Sequence, residues 1–172
     1  MKSVIIASLF LLPQAHAACT YDVAPIRALF NSLDTSPSFE GPRTERERLS
    51  DGTTEVRRTN GGWLVREVAV DHWRFLGEFC TDSFCEDSEM HFRIIDGCLK
   101  LGPTGSTDVI VNVSTPRRLD YKFDIGGLDA NSRLTYTPSS KILAIDQDIY
   151  EGKVRVFSSR FKGTARRSFD QN

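Results

Sequence analysis

Residues 119–127 read LDYKFDIGG, and this stretch decides the fold class. Leu119, Tyr121, Phe123 and Ile125 fall on one side of an extended chain and Asp120, Lys122 and Asp124 on the other, because successive side chains of a strand point to opposite faces. Gly126-Gly127 closes the run with residues that tolerate a tight turn. A strand written this way has one buried and one wet face. That is the pattern of an antiparallel sheet, since strands of parallel sheets are apolar on both faces.

The same grammar extends in both directions. Upstream, Trp73, Phe75 and Phe79 alternate with Arg74 and Glu78, and Met90, Phe92 and Ile94 with His91 and Arg93. Leu99 and Leu101 flank Lys100, and Val109, Val111 and Val113 share one face. Downstream, RLTYT, KILAID and VRVFSSRF continue the series. Turn signals separate the runs at Asp96-Gly97, Gly102-Pro103-Thr104-Gly105, Pro138-Ser139-Ser140 and Glu151-Gly152. Asn60-Gly61-Gly62 reads as a hairpin turn between TTEVRR and WLVREVAV. The expectation is a mainly β domain of nine or ten strands over residues 53–161, with no helix between them long enough for a parallel crossover. The economical arrangement is an antiparallel meander curled into a barrel or half-barrel, with a two-sheet sandwich as the alternative.

One short helix precedes the strands, over residues 22–33. Asp22 can cap it, Pro25 suits its first turn, and Val23, Ile26, Phe30 and Leu33 recur at helical spacing. Its apolar stripe must pack on the sheet. Residues 39–51 (FEGPRTERERLSD) mix Arg43, Arg46 and Arg48 with Glu45 and Glu47, and read as a solvated connector or strand edge.

Composition sets the class. The 172 residues carry 22 Lys+Arg against 23 Asp+Glu and are 40% hydrophobic, which excludes a strongly basic nucleic-acid binder and a disordered chain. Residues 1–17 read as a secretory signal peptide: Lys2 is the basic start, Val4 to Leu12 the apolar run, and Ala15-His16-Ala17 the cleavage pattern. That run is too short to span a bilayer, so the reading is a periplasmic or secreted protein with no transmembrane segment and 18–172 as a single domain. Asn112-Val113-Ser114 is a formal glycosylation sequon, meaningful only in a eukaryotic source.

Four cysteines remain in the exported chain, and their even number implies two disulfides. Cys80–Cys85 would close a tight loop and leave Cys19–Cys98. The alternative is Cys80–Cys98 with Cys19–Cys85. Either way the cysteines constrain EFCTDSFCEDSE, residues 78–89, which carries Glu78, Asp82, Glu86, Asp87 and Glu89 and no positive charge. A rigid acidic loop presenting Phe84 suits insertion into a basic surface or cleft of another protein. Cys80-Thr81-Asp82-Ser83-Phe84-Cys85, a C-x4-C loop between strands, resembles the inhibitory loop of the periplasmic inhibitors of vertebrate-type lysozyme, although that family's loop carries a histidine and this one has none. The resemblance implies an inhibitor whose loop enters an enzyme's cleft.

A second reading places an apolar small molecule inside the curled sheet, in a pocket built from Trp63, Trp73, Phe75, Phe79 and Phe92. Signs of catalysis are weak. His72 and His91 lie in strands without a motif that would supply a nucleophile, and the cysteines are committed to disulfides. No metal or cofactor signature appears. Asp124, Asp129 and Asn131, and the pair Asp146 and Asp148, offer oxygen atoms but lack the spacing of an EF-hand calcium loop. The pairs Arg57-Arg58, Arg117-Arg118 and Arg166-Arg167 read as solvated surface, and the tail from Arg166 to Asn172 as frayed. The reading is therefore an exported, non-enzymatic interaction protein, an inhibitor or immunity-type partner of a toxin or hydrolase, with a carrier of an apolar ligand as the alternative.

Overall fold

The structure is a computed structural model that describes residues 19–36 and 38–166. The signal peptide expected at 1–17, Pro37, and the tail beyond Arg166 lie outside the described residues. One helix, α1 (Ala24–Asp34), precedes eleven strands: β1 (Ser38–Arg48), β2 (Thr54–Ala69), β3 (His72–Cys80), β4 (Cys85–Ile95), β5 (Cys98–Leu101), β6 (Thr107–Asp108), β7 (Ile110–Thr115), β8 (Arg118–Ile125), β9 (Leu128–Thr137), β10 (Ile142–Glu151) and β11 (Val154–Arg166). All pairings are antiparallel in one sheet ordered β6-β5-β4-β3-β2-β1-β11-β10-β9-β8-β7. The two edge strands are consecutive in sequence, since β6 ends at Asp108 and β7 starts at Ile110. The chain itself thus crosses the seam of a nearly closed barrel.

Two sequence expectations need correction. Residues 39–51 are not a connector: most of them form β1, in the middle of the sheet between β2 and β11, with Arg43 and Glu45 buried. Asn60-Gly61-Gly62 is not a turn either, because β2 runs straight through it. The glycines are needed there for close approach between strands. A Cβ on Gly61 would lie 1.9 Å from the Glu78 carbonyl oxygen, and one on Gly41, its partner in β1, 2.1 Å from that of Lys162. Glycine is the residue that lets two backbones crowd in this way.

Helix α1 fills one end of the barrel. Ile26, Leu29, Phe30 and Leu33 are all fully buried on its inner stripe. The Phe30 ring sits 5.1 Å from Trp73, 5.7 Å from Phe75 and 4.9 Å from Phe92, in tilted or edge-on contacts that favour aromatic pairs. Polar ties hold the helix in place. Arg27 donates two hydrogen bonds to Asp71 at 2.7 Å, Trp73 Nε1 donates to Asn31 at 3.1 Å, and the Leu99 N–H donates to the Tyr21 hydroxyl at 2.8 Å. The Cys19–Cys98 disulfide fastens the segment before the helix to β5. Cys80–Cys85 is the other bridge, so the first of the two pairings considered above is the one present, and no described cysteine is free.

Candidate functional site

The end of the barrel away from α1 is built differently. Cross-strand register places Arg57, Glu45, Ser159, Gln147, Ser132 and Tyr121 in one row across six neighbouring strands, β2-β1-β11-β10-β9-β8. The adjacent row toward the helix reads Thr59, Arg43, Phe161, Ile145, Leu134 and Leu119. On β9, β10 and β11 the interior thus changes from apolar to polar over a single step of the pleat.

Between these rows lies a cavity of about 220 Å³. Met90, Ile145, Phe157 and Phe161 give it apolar walls, and Arg43, Glu45, Glu86, Ser88, Ser132 and Gln147 line it with polar groups. Trp63 and Tyr121 line it at the level of the aromatic core, and Glu89 and Ser159 complete the lining. Ser132, the cross-strand neighbour of Tyr121, accepts a hydrogen bond from Gln147 Nε2 at 3.4 Å. Burial pushes the Tyr121 phenol up to about 12, so it stays neutral and available as a donor or acceptor.

Arg43 is the central charge, only 4% exposed. Its guanidinium stacks on Phe79, 3.9 Å from the ring centroid, and Nη1 donates to Ser88 at 3.2 Å. Its Nε and Nη2 reach carboxylate oxygens of Glu45 and Glu86 only at 3.5 Å and make no hydrogen bond. Arg57 closes the ring, 2.6 Å from Glu45 and 3.0 Å from Glu86. Among the described residues, five buried side-chain polar atoms lack a hydrogen-bond partner. Three of them belong to residues that line the cavity, Arg43 Nε and Nη2 and Trp63 Nε1, and a fourth is Thr59 Oγ1 on the residue paired with Arg43. Orphaned buried donors are rare and call for a partner.

The stapled turn stands at the same end, because Glu86 and Ser88 of the cavity wall follow directly on Cys85. The Thr81 N–H donates to the Phe84 carbonyl at 2.8 Å and holds the turn, and Phe84 is 50% exposed. Glu78, Asp82, Asp87 and Glu89 are exposed and Glu86 half-buried. The acids do not act as one patch, however. Glu86 binds Arg43 and Arg57, and Glu89 binds Arg74 and His91.

Of the aromatic residues expected to form a pocket, Trp63 lines the cavity, whereas Trp73, Phe75, Phe79 and Phe92 are buried in the core. His72 Nε2 lies 2.9 Å from His91 Nδ1, and His91 Nε2 lies 2.7 Å from Glu89, which Arg74 also holds. Burial and the nearby Arg93 lower the His72 pKa, while Arg74 and His91 lower that of Glu89. This chain of groups contains no hydroxyl or thiol, and neither histidine lines the cavity. Glu78, Cys80 and Cys85 cluster closely enough for a metal, but both sulfurs are in the disulfide. Asp124 accepts from the Gly127 N–H as a turn residue does, and Asp146 and Asp148 are held by Arg160. The arginine pairs do not converge: Arg57 faces Glu45, Arg118 holds Asp120 and Arg166 holds Glu40.

The crystal structure of a mutant of the fluorescent protein UnaG is similar, with a TM-score of 0.39 and 15% identity, over 81% of this chain and 89% of that one. No protein-family model matches the chain, and no curated protein matches it.

Proposed function

We propose that the protein is an exported binding module that holds a small amphipathic molecule in the open end of its barrel. The observation that carries this reading is the pair Arg43 and Trp63 on the cavity wall. There, buried donors without acceptors adjoin a cavity whose other walls are Met90, Ile145, Phe157 and Phe161. A few convergent polar groups on apolar walls are the makings of a ligand site. At about 220 Å³ the cavity lies below the usual range of roughly 300–1,000 Å³, so it takes a small molecule or one end of a longer one. Export rests on the two disulfides, which persist in oxidising compartments, and on the signal-like residues 1–17.

The test is a titration with 1-octanol followed by two-dimensional NMR. Saturable shifts at Met90, Ile145 and the Trp63 indole are expected, and they should vanish in Ser132→Leu, which fills the cavity from its wall. Shifts that spread over the outer face, or that survive Ser132→Leu, would remove this reading.

The exposed ring of Phe84 on its disulfide-closed turn favours a second reading, in which that turn docks on a protein partner. Asp82 and Asp87 would supply its charge, since Glu86 and Glu89 are engaged elsewhere. Inhibition of a vertebrate-type lysozyme that Phe84→Asp abolishes would support it, and absence of inhibition at micromolar protein would count against that partner.

A further inference from the structure

The geometry points to an uncharged head group, an amide or an alcohol, as the polar end of the molecule bound beside Arg43. This inference rests on the cavity being a ligand site and adds which chemistry it selects.

A lone buried arginine at a cavity wall would ordinarily argue for an anion, because a guanidinium is matched by a carboxylate or phosphate. Here that demand is already met. Arg43 and Arg57 face Glu45 and Glu86 in a closed ring of two positive and two negative side chains. The next carboxylate on the wall, Glu89, is held by Arg74 and His91. An incoming carboxylate would therefore be an unbalanced charge, set against Glu45 and Glu86 and removed from water on entry. It could take Arg43 only by displacing those glutamates, and Glu45 is itself nearly buried, with 10% of its side chain exposed.

Hydrogen bonding is incomplete even though charge is balanced. Arg43 Nε and Nη2 and Trp63 Nε1 are donors without acceptors. On the same wall, Glu45 and Glu86 have lone pairs to spare, and the Ser132 and Gln147 side chains can accept. A neutral group that both accepts and donates satisfies the donors without disturbing the ring, provided the Arg43 side chain turns slightly toward it. A primary amide and a hydroxyl both qualify. The size of the cavity, about 220 Å³ or the liquid volume of roughly seven waters, leaves room for a short apolar body against Met90, Ile145 and Phe161.

The test uses four probes of equal chain length at pH 7: octanamide, 1-octanol, octanoate and octylammonium. The readouts are the Trp63 indole and Arg43 Nε–H resonances of the intact protein. Octanamide and 1-octanol should shift both signals saturably, and octanoate and octylammonium should bind at least tenfold more weakly. Glu86→Gln, at a side chain one third exposed, leaves the ring one negative charge short. It should raise octanoate affinity at least tenfold, and no gain in octanoate affinity would overturn the charge-balance argument. Octanoate or octylammonium binding as tightly as octanamide would overturn the neutral-head inference while leaving the cavity as a ligand site. Binding of none of the four would overturn both.

Discussion

Replacing Phe30 by alanine measures how much of the fold depends on the helix acting as a plug. Phe30 is fully buried, and its ring meets Trp73, Phe75 and Phe92 at centroid distances of 4.9–5.7 Å. Truncating a fully buried phenylalanine costs about 3–5 kcal/mol, the lost transfer energy plus the hole left behind. Collapse around this hole is hindered, because the three partner rings stand on β3 and β4, whose register is fixed by the ladder between them. The upper half of that range therefore applies. Phe84→Ala removes the same atoms from a ring that is half exposed, so it should cost under about 1 kcal/mol. Urea unfolding followed by tryptophan fluorescence reads both. With a slope of about 2 kcal/mol per molar urea, Phe30→Ala should lower the midpoint by roughly 2 M and Phe84→Ala by less than about 0.5 M. A loss below about 1.5 kcal/mol for Phe30→Ala would refute the idea that α1 supplies core to the barrel, as would equal losses for the two variants.

The two disulfides should differ in worth. Closing 79 residues through Cys19–Cys98 restricts the unfolded chain by roughly 4.5 kcal/mol, and closing five through Cys80–Cys85 by roughly 2 kcal/mol, so Cys19→Ala/Cys98→Ala should lower Tm well below Cys80→Ala/Cys85→Ala. Gly61→Ala drives a methyl to 1.9 Å from a backbone oxygen, and urea unfolding should show a loss of about 2 kcal/mol or more. Tyr121 gives a pH signature. An unfolded tyrosine titrates near about 10, and burial holds the folded one up at about 12. Between those values the unfolded chain has lost its proton and the folded chain has kept it. The stabilising difference is therefore complete below pH ~10 and drains away by up to roughly 3 kcal/mol as pH rises to ~12. In denaturant titrations Tyr121→Phe should show a shallower alkaline decline than the parent.

The strands that alternate clearly in sequence are those whose inner positions are apolar along most of their length. Phe75 and Phe79, Phe92 and Ile94, and Leu119 and Tyr121 all face the interior. Strand β1 escaped the same reading for a physical reason. Its inner positions include Phe39, Arg43 and Glu45 and its outer ones Glu40, Thr44 and Arg46, so charge falls on both faces and the period of two disappears. The glycines of β2 misled in another way. Gly61 and Gly62 have the composition of a turn, but what calls for them is the crowding of Phe39, Glu78 and Phe79 from the neighbouring strands, which no local window contains. The cavity was legible only in fragments. Trp63, Glu86 and Arg57 stood out as an aromatic, a loop acid and half of a basic pair. Nothing local in the sequence joins them to Ser132 or Gln147, because cross-strand register brings them together.

That register is also the strongest reason to treat the polar end as one site rather than several accidents. A barrel stabilised only by its core has no use for polar side chains at inward positions, since each buried one costs free energy unless it is matched. Here the switch occurs on strand after strand at one level: Phe161 gives way to Ser159, Ile145 to Gln147 and Leu134 to Ser132, and the row reaches Glu45 and Arg57 without a break. Partial matching within the row, Gln147 to Ser132 and Arg57 to Glu45, limits its cost, while Arg43, one step deeper, and Trp63, further along β2, are left with donors unused. Helix α1 accentuates the asymmetry. At 11 residues, about 16 Å long, it closes the end where the inner residues are aromatic and aliphatic, and it is tied there by Asp71, Trp73 and the Cys19–Cys98 bridge. Aromatic and aliphatic packing is thus concentrated at one end and unspent hydrogen-bonding capacity at the other. That division follows if the packed end secures the fold while the polar end stays open to a ligand.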